Sequence, residues 1–252
     1  MSTKVLHAHR WAALPERGTP ASLRLIAWIA LHVGRWAARL LLYPITLYFV
    51  VSGHAARRVS YDYLRRVGNR RPRWWHVFRH FHCFAATILD RVYLLRGEFE
   101  HFNVTLHGKE MLHRQMETDR GCILLGAHLG SFEVLRTLGV TQRNFPLKVL
   151  MDVEHNQNVT RFLDALNDKT TECQFLGAPA VFPAGPILLA GMMHCPIILF
   201  FGLYRGGKRY DIYFEQFAHE IILNREHRTE EIHDWMQRYA RRLEHYARLA
   251  PY

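Results

Sequence analysis

The sequence predicts an α/β fold: one mixed, mostly parallel sheet flanked by helices, with a membrane-associated helix ahead of it. Two observations predict the sheet and a third the helix. Apolar runs bounded by glycine or proline, GCILLGA at 121–127 and PIILFFGLY at 196–204, have the length and composition of buried strands. They alternate with segments of helical periodicity, the order expected when helices cover the faces of a sheet. The third observation is the placement of charge. Of a net +11, residues 1–80 hold 14 Lys/Arg against only Glu16 and Asp62, whereas 81–252 hold 19 against 20 acids. A basic arm therefore precedes a neutral globular part. A nucleic-acid-binding domain is expected to carry its basic face within the fold, so the pattern favours an anionic membrane surface.

At about 150 residues per domain, 252 residues make one large domain with an appendage, and 49% hydrophobic residues exclude global disorder. The organisation reads as a tail (1–20), an amphipathic anchor with a basic flank (21–73) and a catalytic-type domain (74–252). Cys83, Cys122, Cys173 and Cys195 never approach CxxC spacing, which indicates neither a disulfide framework nor a zinc ribbon and suits a reducing, cytoplasmic setting. Cys122 and Cys195 sit in apolar strand contexts and read as core packing.

Residues 21–53 form an apolar helical pattern in which Arg24, Arg35, Arg39 and His32 fall at about 0°, 20°, 60° and 80° of a helical wheel. One narrow cationic stripe on an apolar cylinder is the pattern of a helix lying in the headgroup region. The uncharged run from Leu40 to Ala56 contains Pro44 and His54 and sits at the bottom of the spanning range of about 17–25 residues, so an anchor in the interface is expected rather than a span. The arginines at 57, 58, 65, 66, 70, 71 and 73 place this flank on the cytoplasmic side. No small-residue cleavage site follows a compact apolar core, so no cleaved signal peptide is expected. The competing reading is a buried core helix whose arginines emerge on one side. Nucleic-acid binding through 57–73 is a third; it predicts salt-sensitive binding that survives loss of 21–53, whereas the membrane reading predicts that this deletion solubilises the protein.

After Pro72 an aromatic helix carries Trp75, Phe78, Phe81 or His82, and Ala85 at helical spacing, and Gly97 closes it. His76 and His80 stand at i, i+4 without a third ligand cluster, so they read as polar positions of a core or membrane-facing helix rather than as metal ligands. Further elements come in order: a strand at 103–106, a short helix to about Thr118, the strand at 121–127, and a helix at 131–138. A strand at 146–151 and a helix near 157–166 come next. The chain then continues with a helix opened by Pro186, the strand ending at Tyr204, a Gly206-Gly207 turn, its partner at 209–217, and a final helix at 229–249. That last helix opens on acids and lines up Ile232, Trp235, Met236, Tyr239, Leu243 and Tyr246.

The segment GCILLGAHLGSFEVLRTLG carries the chemistry. His128 stands at the exit of a buried strand and Glu133 lies five residues later, too far round a regular helix to meet it but within reach across a bend. Gly130 permits that bend and Ser131 caps the next helix. A carboxylate on one ring nitrogen fixes the tautomer and leaves the other nitrogen as a base, while free amides at the helix start offer an oxyanion a cradle. Such a pair suits acyl transfer to a hydroxyl or amine without a covalent enzyme intermediate. Spacing alone equally allows His128 to end a strand and Glu133 to complement a helix dipole.

HLGSFE after a glycine-flanked strand resembles the H-x4-D/E motif of the lysophospholipid acyltransferase superfamily. The tract FLGAPAVFPAGPILLAGMMHCPIILFFGLYRGGKRYDIYFE is similar to the second block of the lipid A biosynthesis (lauroyl/myristoyl) acyltransferase branch. The resemblance covers most of residues 21–245. It implies a glycerolipid acyltransferase-like sheet and a bacterial inner-membrane enzyme, acting at the cytoplasmic face, that moves a fatty acyl chain from acyl carrier protein or coenzyme A to a lipid or glycolipid. It implies His128 as general base, Glu133 as its orienting partner, and Gly130, Ser131, Phe182, Pro183, Gly185 and Arg205 as substrate-binding positions. No metal or organic cofactor is implied, the acyl thioester being a co-substrate. The chain is shorter than family members at 167–168, where a helix and a strand are missing. A membrane-associated protein that binds acyl lipid or acyl carrier without catalysis is therefore the alternative.

Overall fold

Among the described residues four α-helices precede the sheet: α1 (Pro20–His32), α2 (Arg35–Ser52), α3 (His54–Gly68) and α4 (Trp74–Arg96). A computed structural model describes residues 20–68, 71–118, 120–131, 134 and 169–252, the side chains of 20–23, 116 and 128 apart. Where the sequence predicts one helix over 21–53, Gly34 at φ +114° separates α1 from α2, a conformation that side chains rarely adopt. The basic flank is itself largely helical, as α3, and turns from α2 through 97°. Among the described residues no single helix is long and apolar enough to cross a membrane, although α2 and α3 together pass that test as a bent pair.

Beyond α4, which ends at Gly97 in the left-handed region, come β1 (Asn103–His107), α5 (Lys109–Met116) and β2 (Ile123–Gly130). The chain continues with β3 (Thr170–Phe175), β4 (Ala178–Pro183), α6 (Gly185–Met193), β5 (Ile197–Tyr204), β6 (Arg209–Ala218) and α7 (Arg228–Leu249). The main sheet runs β1-β6-β5-β2. Among its described strands it is mixed and mostly parallel: β1 with β6 and β2 with β5 are parallel, and β5 with β6 is antiparallel. β3 and β4 form a separate antiparallel hairpin, so the described strands make two sheets where one is expected. The predicted helix at 131–138, strand at 146–151 and helix near 157–166 lie outside the described residues, Ser131 and Val134 excepted.

β5 explains the layering. All eight residues of IILFFGLY are buried, because alternate side chains enter different cores. Ile198, Phe200 and Tyr204 join Tyr210, Ile212 and Phe214 against Ala38, Leu42, Leu89 and Tyr93 of α2 and α4. Ile197, Leu199, Phe201 and Leu203 pack on the other face with Ile187, Met236, Tyr239 and Tyr246 of α6 and α7. The buried line of α4 is Val77, Ala86, Leu89, Tyr93 and Leu94, while Trp75 at the start of the expected aromatic face is 43% exposed.

The cationic stripe faces inward over part of its length. Arg35 grips Asp90 of α4 through Nε and an Nη at 2.9 Å each, and Asp90 is fully buried. Tyr210 donates to the same carboxylate at 2.9 Å, and Arg39 stands 3.9 Å from it. Both arginines also donate to the Gly207 carbonyl at 2.6 Å. A buried carboxylate needs such partners, since an unpaired one costs several kcal/mol. The outward side of the helices is correspondingly apolar: Trp28, Trp36, Leu40, Tyr48, Trp74 and Phe84 all lie more than half exposed. Arg35 and Arg39 therefore do not line a headgroup-facing stripe; they clamp α2 to α4 and to the β5–β6 turn.

Candidate functional site

The candidate base falls on an irregular strand end. Gly126 pairs with Phe200 and Gly130 with Gly202, so Ala127, His128 and Leu129 stand opposite Phe201 alone. Two extra residues in β2 make a bulge, the device by which strands re-aim a side chain beside active sites. Both ends of the bulge are pinned. On one side the Tyr239 hydroxyl donates to the Gly126 carbonyl at 3.0 Å. On the other the Ser131 amide donates to the Gly202 carbonyl at 2.9 Å.

Gly130 has no substitute here. Its φ is +81°, and a Cβ would stand 2.0 Å from the Gly202 oxygen. Gly202 is equally confined, since a Cβ there would stand 2.5 Å from the Ser131 oxygen. This pair of backbone contacts, at the carboxyl ends of the parallel strands β2 and β5, is where open α/β sheets hold ligands. Ser131 is 2% exposed and so part of the strand-end packing. The side chain of His128 and the whole of Glu133 lie outside the described residues.

The second predicted block is connected to this strand end from the α7 side. Phe182 on β4 meets Tyr239 edge-on at 6.1 Å and Phe175 at 5.8 Å, and Tyr239 in turn holds Gly126. Burial pushes the Tyr239 hydroxyl up to about 12, so it remains a proton donor at neutral pH. Pro183 ends β4 on the exposed side, and Gly185 begins α6 buried. The α6 start offers an anion little. Ala184 donates to Lys169 and Ile187 to Ala184, and Pro186 has no N–H, which leaves Gly185 the one amide in that turn without a partner among the described residues.

Arg205 succeeds β5 at the same end of the sheet as Gly130. It is held by Asp211 at 2.8 Å, by the Leu249 carbonyl at 2.8 Å and by the Tyr213 hydroxyl at 3.2 Å. The residues thus fall into two groups. His128, Gly130, Ser131 and Arg205 share one sheet end, while Phe182, Pro183 and Gly185 approach from the hairpin, linked through Tyr239. Tyr239 appears in the sequence only as one of six positions on an apolar helix face, and nothing there separates it from its neighbours.

His76 and His80 have local roles. His76 accepts the Arg73 amide at 2.9 Å and stacks on Trp75. His80 bonds the Ser60 hydroxyl at 2.7 Å and stacks on Tyr63. Sequence reasoning misses Asp90, although it is the lone acid in the run AATILDRVYLL, downstream of an arginine-rich arm.

Compared with known proteins, the chain matches no family model, and no curated protein matches it.

Proposed function

We propose that this chain is a membrane-associated acyltransferase of the lipid A biosynthesis type, on a glycerolipid acyltransferase-like sheet. It moves a fatty acyl chain from acyl carrier protein or coenzyme A to a hydroxyl or amine of a lipid or glycolipid at the cytoplasmic face of the bacterial inner membrane. The observation that carries the reading is the glycine-bounded bulge of β2, in which His128 falls at the carboxyl ends of two parallel strands. In this reading His128, oriented by Glu133, takes the acceptor's proton as its oxygen or nitrogen attacks the thioester carbonyl. The new C–O or C–N bond forms, the C–S bond breaks, and the proton passes to the departing thiolate. The outward apolar faces of α1, α2 and α4 support residence at a bilayer, where Trp and Tyr favour the interface.

The test is transfer of labelled acyl groups from acyl carrier protein to a lipid A precursor by the full chain in detergent. His128→Ala is expected to cut the rate about 10²–10⁴-fold with an unchanged circular dichroism spectrum. Transfer at the parent rate would refute the assignment.

A further inference from the structure

A cavity of about 480 Å³ opens between α2, α4, the turn after β5 and the C-terminal residues 249–252. Its volume is in the range of small-molecule sites. Three arginines line it, and their charges are unequally matched. Arg205 is met by Asp211 at 2.8 Å. Arg39 stands 3.9 Å from Asp90, a carboxylate that Arg35 already holds through two bonds; its Nη groups donate to the Gly207 carbonyl and the Tyr204 hydroxyl, and its buried Nε has no partner among the described residues. Arg79 meets no carboxylate among the described residues; its guanidinium lies over the Tyr252 ring at 4.1 Å. Among the side chains lining the cavity three are arginines and none is a carboxylate, and Arg79 is exposed to an incoming anion.

Its rim adds a second constraint. Tyr43, 52% exposed, lines the mouth, and Leu40 and Leu47, one turn to either side on α2, are 59% and 49% exposed. The cationic lining thus adjoins the outward apolar face of α2. We infer that this cavity binds a phosphoester anion, with Arg79 and Arg39 as its charge partners and the adjoining α2 face taking any attached hydrocarbon. Guanidinium groups suit phosphate because their forked N–H groups match its oxygens. The inference is independent of whether His128 acts as a base, since among the described residues none of the β2 bulge lines the cavity.

Binding of dihexanoyl phosphatidate, dihexanoylglycerol and inorganic phosphate to the full chain in detergent, monitored by calorimetry, tests it. Saturable phosphatidate binding is expected, weakened about tenfold in Arg79→Gln and less in Arg79→Lys, as loss of one charge-assisted contact predicts. Arg58→Gln, an exposed arginine of α3 away from the cavity, is expected to bind like the parent. Competition by inorganic phosphate with the same order of variants assigns the site to the phosphate group alone. Phosphatidate binding that phosphate does not displace assigns it to a lipid headgroup. Equal affinity for dihexanoylglycerol, parent-like binding by Arg79→Gln, or an equal loss in Arg58→Gln overturns the inference.

Discussion

Replacing Asp90 by asparagine asks whether the arginine stripe of α2 faces protein or lipid. In the structure the carboxylate is fully buried, takes two bonds of 2.9 Å from Arg35 and one from Tyr210, and has Arg39 at 3.9 Å. The Arg35 side chain is only 10% exposed, so solvent screens the pair little. Removing one partner of such a pair costs about 3–5 kcal/mol, chiefly because the other charge is left buried and unmatched. At about 2–4 °C per kcal/mol for a chain of this size, Asp90→Asn should melt roughly 6–20 °C lower. Urea unfolding monitored by far-UV circular dichroism measures the loss. A double-mutant cycle with Arg35→Gln should show a coupling of about 1–3 kcal/mol. Vesicle flotation supplies the contrast, since Arg35→Gln should leave binding to anionic vesicles unchanged. The reasoning fails if Asp90→Asn stays within about 1 kcal/mol of the parent. It fails equally if Arg35→Gln loses vesicle binding while unfolding like the parent, as a headgroup-facing arginine would require.

Gly130→Ala should cost about 2 kcal/mol or more, because the added methyl would sit 2.0 Å from the Gly202 oxygen at a φ of +81°; a urea midpoint equal to the parent's would show that the strands do not approach so closely. Tyr239→Phe removes the bond to the Gly126 carbonyl and should cost about 1 kcal/mol, and a midpoint that does not move would remove Tyr239 from the support of the bulge. Burial holds the His80 imidazole below its ordinary 6.5, and burial, then the Arg39 charge, does the same to His82. On acidification the unfolded chain therefore takes up protons first. Their contribution is complete above about pH 6.5 and is lost as the pH falls toward the depressed native values. Unfolding curves for the parent should weaken between pH 6.5 and 5, and those of His80→Gln should weaken less; parallel losses would count against the assignment.

How much is legible in the sequence depends on whether local pattern or tertiary contact decides the outcome. β5 and α7 are readable because composition and period settle them: PIILFFGLY has no polar residue to expose, and the acids at Glu230 and Glu231 mark a helix start. The wheel of 21–53 shows correctly that Arg35 and Arg39 share a side, but a wheel carries no sign. Which side faces inward is fixed by Asp90, more than fifty residues away, and by Gly207, more than 160 away. The hairpin at 170–183 escapes a reading by pattern because APAVFP and TTECQF alternate only weakly between apolar and polar residues. The bulge has no local signal, since HLG reads as well for a strand that simply ends. Gly126 and Gly130 bound it in the sequence, and only the register with β5 shows what they permit.

The inward clamp changes how a detergent-free form of this protein should be sought. Trimming the chain at residue 53, the natural choice from hydropathy alone, would strip Asp90 of both guanidinium groups and uncover the Ala38 and Leu42 seam against the sheet. The product would aggregate for reasons unrelated to lipid. Repainting the outside of the same helices, with glutamate or lysine at Trp36, Leu40 and Leu47, leaves every one of those contacts in place.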